Sequence, residues 1–219
     1  MLEIPAGEAH HLLKVLRAAS GDRIEVADRS GQLFTAELRG GRDAVVLEEL
    51  AAPDLADTEV SLYQAVPKGG RMELVVEKAT EIGISRIVPL LTARGVVSPR
   101  EGKVGRWRRV AEAAARQSLR TSIPEVADPV PFSETVSRVG DGGVLLHNGS
   151  GLPPVEAVVG SPVALFVGPE GGWEEGELRL AGEVGMPLGS LGSNRLRSET
   201  AGIVAVARAF ATLENRIKH

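Results

Sequence analysis

Val163-Ala-Leu-Phe-Val167-Gly168-Pro169-Glu170-Gly171-Gly172 is an apolar run that breaks into a glycine loop, and a helical period begins just behind it near Glu174. A short continuous apolar run bounded by turn formers reads as a strand buried on both faces, the kind found in parallel sheets. The flanking sequence repeats the pattern. Short β-like runs at 60–66, 87–91, 144–146 and 163–167 alternate with helical periods near 72–82, 104–119, 174–184 and 198–214. This alternation predicts an α/β domain with a mainly parallel sheet and helices on both faces. Ligands of such sheets bind at the carboxyl ends of strands, which is where the glycine loop falls.

Residues 8–50 follow a different rule. Arg23-Ile-Glu-Val-Ala, Gln32-Leu-Phe-Thr-Ala-Glu-Leu and Ala44-Val-Val-Leu are short β-rich runs, and Asp28-Arg-Ser-Gly and Gly40-Gly-Arg-Asp supply tight turns between them. They predict a small β-barrel or sheet. The segment Ala51-Ala-Pro-Asp-Leu-Ala-Asp-Thr is small and acidic and carries a proline, so the expected domains are 1–54 and 59–219.

With 219 residues, 43% of them hydrophobic, the chain can bury a substantial core. It has no cysteine, which excludes disulfides and thiolate metal sites and fits a reducing compartment, so a cytoplasmic location is expected. The N-terminus carries no basic segment followed by an apolar one, and no apolar run reaches the roughly 20 residues of a membrane helix. Neither secretion nor membrane insertion is expected. A net charge of -4 requires that any nucleic-acid site be a local basic patch.

Three stretches could carry chemistry. The Gly168 to Gly172 loop lets a ligand approach bare backbone. It lacks the G-x-x-x-x-G-K-[ST] spacing of a nucleoside triphosphate site, and Trp173, Glu174, Glu175 and Glu177 follow it, an acidity that suits a neutral or cationic ligand. A plain strand-to-helix turn is the competing explanation. The second stretch is Leu188-Gly-Ser-Leu191-Gly192-Ser193-Asn194-Arg195-Leu196-Arg197-Ser198-Glu199-Thr200-Ala201, which enters the last helix with Ser198 as the expected N-cap and Glu199 in its first turn. Arg195 and Arg197 would there seek an anion. Behind them Ile203, Val206, Ala207, Phe210 and Leu213 form the expected core stripe. The third is basic: Arg94, Arg100, Lys103, Arg106, Arg108, Arg109, Arg116 and Arg120, opposed only by Glu101 and Glu112. Arg106, Arg109, Arg116 and Arg120 are expected on one helix face, with Val104, Trp107, Ala111 and Ala114 on the buried one and Lys68, Arg71 and Lys78 extending the patch. A solvated helix face is the usual reading of a charge run, but such faces normally mix signs. Near the N-terminus, His10, His11, Lys14 and Arg17 are expected opposite Leu12, Leu13, Val15 and Leu16 on a short helix. These histidines and His147 lack partners at ligand spacing, so no metal is expected.

These segments, in this order, resemble the bacterial 16S ribosomal RNA (uracil-N3)-methyltransferase family. The resemblance is carried by His11-Leu-Leu-Lys-Val-Leu-Arg17, by Lys68-Gly-Gly-Arg-Met-Glu-Leu-Val-Val-Glu-Lys-Ala-Thr-Glu-Ile-Gly83, by Arg106-Trp107 onward to Ala114, Gln117 and Ser118, by Phe166-Val-Gly-Pro-Glu-Gly-Gly172 and by residues 191–201. It implies an N-terminal PUA-like β-barrel for RNA and a C-terminal SPOUT domain threaded as a trefoil knot, an exception to the rule against knots. It also implies a homodimer acting on 16S rRNA in the small ribosomal subunit, with S-adenosyl-L-methionine as cofactor. By the same resemblance Leu146, His147, Val167, Gly168, Gly172, Leu191, Gly192, Ser193, Asn194 and Leu196 would bind the cofactor. For transfer to uracil N3 the expected catalytic residues are Arg197 or Arg120, to stabilise the anionic ring, and Glu199 or a water, to assist removal of the N3 proton; His10, Lys14, Arg17, Lys68, Arg71, Arg106, Arg109 and Arg116 are expected to bind RNA. Two departures stand out: the chain starts close to His10-His11, without most of the family's arginine- and aromatic-bearing first strand, and Ser193 and Asn194 replace a proline and an arginine common in relatives.

A related SPOUT enzyme acting on a ribose 2′-hydroxyl or on transfer RNA would share the same cofactor site. A non-enzymatic RNA-binding module would leave both glycine loops without a purpose. A Rossmann-type methyltransferase would need a glycine-rich loop after the first strand, where only Pro67-Lys-Gly-Gly stands.

Overall fold

The computed structural model describes residues 1–27, 32–50, 59–95, 99, 102–120, 122–160 and 163–217. The expected turn at 28–31, the expected linker at 51–58, and Arg100 and Glu101 of the basic run lie outside these residues. The chain divides into two units, Met1–Asp54 with Leu119–Ser122, and Leu55–Ser118 with Ile123–His219.

In the N-terminal unit β1 (Leu2–Glu3), β2 (Arg23–Ala27), β3 (Leu33–Gly40) and β4 (Asp43–Leu50) form an antiparallel sheet in the order β1-β4-β3-β2. Alternation along β3 turns Ala36 and Leu38 inward, where they pack with Ile4, Ala9 and Ala44. Helix α1 (Ala6–His10) widens into a π-helical turn over His11–Val15, and Arg17 follows in the left-handed region at φ 57°. The wider turn moves residues off the 3.6-residue stripe. Val15 and Leu16, expected to face inward, are therefore 61% and 62% exposed.

The C-terminal unit is built on a sheet whose pairs are all parallel among the described residues. Its order is β11 (Leu188–Gly189), β9 (Gly143–Leu146), β10 (Val163–Val167), β5 (Val60–Ala65), β6 (Arg86–Leu91) and β7 (Glu125–Val126), with β8 (Val130–Pro131) also on β6. Successive side chains of β10 point to opposite faces. Val163, Leu165 and Val167 meet α2 (Met72–Ile82), α3 (Lys103–Gln117), α5 (Val155–Val158) and α7 (Ser198–Ile217) in one core, while Ala164 and Phe166 meet α4 (Phe132–Val139) and α6 (Glu175–Glu183) in the other.

Two sequence expectations shift. Along α7 the buried stripe is Ala205, Val206, Ala209, Phe210 and Leu213; Ala207 is exposed and Ile203 only partly buried, because the i, i+3, i+4 spacing that closes on Phe210 and Leu213 runs back through the alanines. Helix α3 buries Trp107, Ala111 and Ala114 as expected but ends at Gln117, and Leu119 follows at φ 52°. Arg120 thus lies beyond the helix, in the N-terminal unit, and does not continue the face of Arg106, Arg109 and Arg116. Among the described residues no helix is long and apolar enough to cross a membrane.

Candidate functional site

The ends of β9 and β10 and the loop leading into α7 enclose a pocket of about 340 Å³, within the usual range for a small-molecule site. Of the ten residues expected around a cofactor, Leu146, His147, Val167, Gly168, Gly172, Leu191, Gly192, Asn194 and Leu196 line it; Ser193, between Gly192 and Asn194, does not. Arg94, Asn148, Pro169, Glu170, Gly171, Trp173, Arg195, Ser198 and Ala201 complete the lining. The walls are apolar where Leu146, Val167, Leu191, Leu196 and Ala201 stand, and bare backbone where the glycines stand.

Glycine is required here for two different reasons. Gly192 sits at φ 119° and Gly172 at φ 72°, backbone that other residues rarely adopt. At Gly168 the limit is space: a Cβ would lie 2.9 Å from the Trp173 indole. Trp173 is buried, packs on Phe132 with ring centroids 4.9 Å apart, and donates Nε1–H to the Leu146 carbonyl at 2.9 Å. It joins the end of β9 to the loop after β10.

The acidic residues around the loop prove to be braces. The Glu177 carboxylate accepts the Glu174 backbone N–H at 2.8 Å in a capping box that starts α6, and its other oxygen accepts the Ala93 N–H at 3.0 Å. Glu170 accepts the Lys68 N–H at 3.1 Å. The loop is held from outside as well, because Arg195 donates to the Glu170 carbonyl at 3.1 Å and Arg94 to the Gly171 carbonyl at 3.3 Å. Arg195, expected to seek an anion, has found a backbone carbonyl.

The last helix enters differently from expectation. Ala201 N–H donates to the Arg197 carbonyl at 2.8 Å, while the Ser198 hydroxyl, expected as the cap, donates to the Gly168 carbonyl at 2.7 Å. Arg197 is exposed and stands between Leu196 and Ser198, both on the pocket wall. Glu199 is buried and does not line the pocket; Arg71 Nε approaches its Oε1 at 3.4 Å, and its Oε2 has no hydrogen-bond partner among the described residues. Arg120 also lies outside the lining, and burial pushes its guanidinium below its usual range.

Of the residues expected on RNA, His10, Lys14 and Arg17 are exposed in the N-terminal unit, and the others belong to the C-terminal unit. There Lys68, Arg109 and Arg116 are exposed, Arg106 pairs with Glu73 at 2.7 Å, and Arg71 with Glu199. Lys78 is neutralised by Glu77 and Glu81, both at 2.8 Å, so it adds nothing to the patch. Among the described residues no group of three or more acidic or histidine side chains could hold a metal ion.

A parallel α/β unit with a backbone-walled pocket at its strand ends, in one chain with a small antiparallel unit, defines a class. Residues 54–209 match the family model of the RNA methyltransferase domain, and residues 4–50 match that of the RNA methyltransferase PUA domain. The chain is 33% identical to ribosomal RNA small subunit methyltransferase E of Synechocystis sp., over 97% of this chain and 73% of the relative. It is 31% identical to the protein of the same name from Bacillus subtilis, over 93% and 87%. The crystal structure of ribosomal RNA small subunit methyltransferase E from Neisseria gonorrhoeae bound to S-adenosyl methionine superposes with a TM-score of 0.77 at 27% identity, covering 97% of this chain and 91% of that one. The chain belongs to the ribosomal RNA small subunit methyltransferase E family.

Proposed function

We propose that this protein transfers a methyl group from S-adenosyl-L-methionine to N3 of a uridine in the 16S rRNA of the small ribosomal subunit. The pocket carries this reading: in a chain of this family, both glycine loops converge on one cavity whose walls are apolar side chains and glycine backbone. That lining fits the cofactor. Leu146, Val167, Leu191 and Leu196 offer apolar surface to an adenine ring, and Gly168, Gly172 and Gly192, without side chains, let it approach the backbone closely. Asn148 and Asn194 offer amides to its hydroxyl and amino acid groups. When bound, the cofactor supplies an electrophilic methyl on a sulfonium centre.

The protein's part is to align N3 with that methyl and to manage charge. Uracil N3 bears a proton near neutral pH, and its loss leaves an anion spread onto the neighbouring carbonyl oxygens. Arg197, exposed beside the pocket, stabilises that anion. We assign the proton to water in preference to Glu199, whose carboxylate is engaged by Arg71 and which does not line the pocket. N3 lies on the Watson–Crick edge, so the target base must be unpaired or splayed out.

Residues 1–54 serve on this reading as a PUA-like β-barrel that holds RNA through His10, Lys14 and Arg17. Residues 59–219 form the methyltransferase domain, with its C-terminal segments threaded as a trefoil knot. Support for the threading is the edge position of β11, which pairs with β9 after the excursion through β10 and α6, together with the Pro154 to Ser190 bridge. The protein works as a homodimer in the cytoplasm. The test is methyl transfer from labelled S-adenosyl-L-methionine to small ribosomal subunits lacking the modification, followed by nucleoside analysis. The product expected is 3-methyluridine; any other methylated nucleoside overturns the substrate assignment, and no transfer overturns the activity.

A further inference from the structure

Gln64 lies on β5 between β10 and β6, wholly buried, in a strand whose other buried residues are Val60, Leu62, Tyr63 and Ala65. A buried amide is unfavourable unless its hydrogen bonds are made. Its Nε2 donates to the Ser198 hydroxyl at 2.9 Å and to the Ala65 carbonyl at 3.0 Å, and Ser198 in turn donates to the Gly168 carbonyl at 2.7 Å. The chemistry fixes the direction of this relay. An amide nitrogen can only donate, so the hydroxyl accepts from Gln64 and spends its single proton on Gly168. A flipped amide would set two oxygens against each other at Ala65 and leave Gly168 without a donor.

The other end of the amide is the informative one. Gln64 Oε1 is buried and has no hydrogen-bond partner among the described residues, and a Cβ on Gly202 of α7 would clash with it. A methionine or leucine would fill the same space with no orphaned oxygen. A half-satisfied amide in a hydrophobic core is a liability for stability alone, so its value lies in what the nitrogen holds.

We propose that Gln64 is a positioning residue for the cofactor pocket, acting through Ser198 to fix the Gly168 loop against the first turn of α7. Gln64 does not line the pocket; Gly168, Ser198 and Ala201 do. The relay ties the strand in the middle of the sheet to the two segments that close the site, and with them sets the place of Arg197. The inference rests on reading this pocket as the S-adenosyl-L-methionine site.

The experiment is calorimetric binding of S-adenosylhomocysteine to the full chain, with thermal unfolding of each variant alongside. Binding by the parent protein tests the underlying reading: if it binds nothing, that reading fails, whatever Gln64 does. Given binding, Gln64→Met is expected to raise Kd about 5- to 10-fold, the effect of one lost hydrogen bond, with little loss of Tm. Ser198→Ala is expected to do the same, the double variant to be no worse than either single one, and Ser198→Thr to restore most of the affinity. A fall in Tm with Kd unchanged would make Gln64 merely structural and overturn the proposal. So would independent effects that multiply in the double variant. If Gln64→Met fails to fold, Gln64→Leu takes its place in the same cycle.

Discussion

Gly168 lies so close beneath Trp173 that a methyl group on its Cα would stand 2.9 Å from the indole Cε2. Trp173 cannot retreat, since its Nε1 is bound to the Leu146 carbonyl and its ring is wedged on Phe132. Either the tryptophan or the loop after β10 must move. Gly168→Ala is therefore expected to cost about 1–3 kcal/mol, the usual range for overpacking, and to weaken S-adenosylhomocysteine binding more than a general loss of stability explains. Thermal unfolding and calorimetry on the same variant check both parts. An unchanged Kd would show that the pocket tolerates displacement of this loop.

Gly202 reverses an ordinary rule. It lies inside α7, where alanine is normally better than glycine by about 1 kcal/mol. Here the added Cβ would clash with Gln64 Oε1, and an amide that turns away from it gives up its bond to Ser198. Gly202→Ala is expected to lower Tm and to loosen cofactor binding as Gln64→Met does. A rise in Tm would mean that Gln64 has somewhere else to go.

The elements were legible wherever a single segment carries its own period. Residues 72–82 show a helical stripe and form α2, and residues 163–167 are apolar throughout and form β10. What local pattern cannot carry is which strands become neighbours. That β5 lies beside β10 depends on helices packing on both faces of the sheet, and Gln64 meets Ser198 only after that pairing is made. The site was read in the same partial way. Its glycines announce themselves, because the need for bare backbone is written in the residue type. Arg94 comes from the turn after β6 and carries no such mark. Trp173 and the glutamates after it read as an acidic tail to the loop, and only the folded chain shows them accepting backbone N–H groups or filling the space above Gly168. The short elements β7, β8, α4, α5 and β11 went unread, since two to eight residues are too few to display a period.

Arg208 on α7 donates to both oxygens of Glu156 on α5, with Nη2 at 2.6 Å from Oε2. These hydrogen bonds hold the Glu156 carboxyl below its ordinary 4.5. Between the two values the unfolded chain binds the proton and the folded one does not, so the pair's contribution is complete above 4.5 and is lost as pH falls through the lowered folded value. Both groups are about a third exposed (29% and 38%), so solvent screens the pair. About 1 kcal/mol is expected. Glu156→Gln should lower Tm by about 2–4 °C at neutral pH, with the difference from the parent shrinking as pH falls below 4.5. A difference that stays constant into acid would mean that the pair contributes through packing and not through charge.

Arg109 and Arg116 stand exposed on α3, whereas Arg106 is occupied by Glu73. If that face meets the RNA backbone, each free guanidinium releases about one counterion on binding. Replacing both with alanine is then expected to weaken RNA binding and to reduce the slope of log K against log salt by about 1–2, with S-adenosylhomocysteine binding unchanged. A salt slope equal to the parent's would remove this helix face from the RNA interface.

Arg197 separates binding from chemistry. Its carbonyl receives the first hydrogen bond of α7 through Ala201, and that bond does not depend on the side chain. Its guanidinium is exposed next to pocket residues Leu196 and Ser198, and a positive group so placed is useful only to charge that appears outside the cofactor pocket. Arg197→Ala should therefore leave fold and cofactor affinity as they are. Methyl transfer to the small subunit should fall about 10²- to 10³-fold, the loss typical when one preorganised electrostatic partner of a developing anion is removed. The fall should appear in kcat, since the anion exists only after the N3 proton has left. Single-turnover methylation beside calorimetry distinguishes the outcomes. A higher Kd for cofactor with kcat retained would assign Arg197 to the pocket wall, and unchanged turnover would leave the uracil anion to be stabilised by another cation.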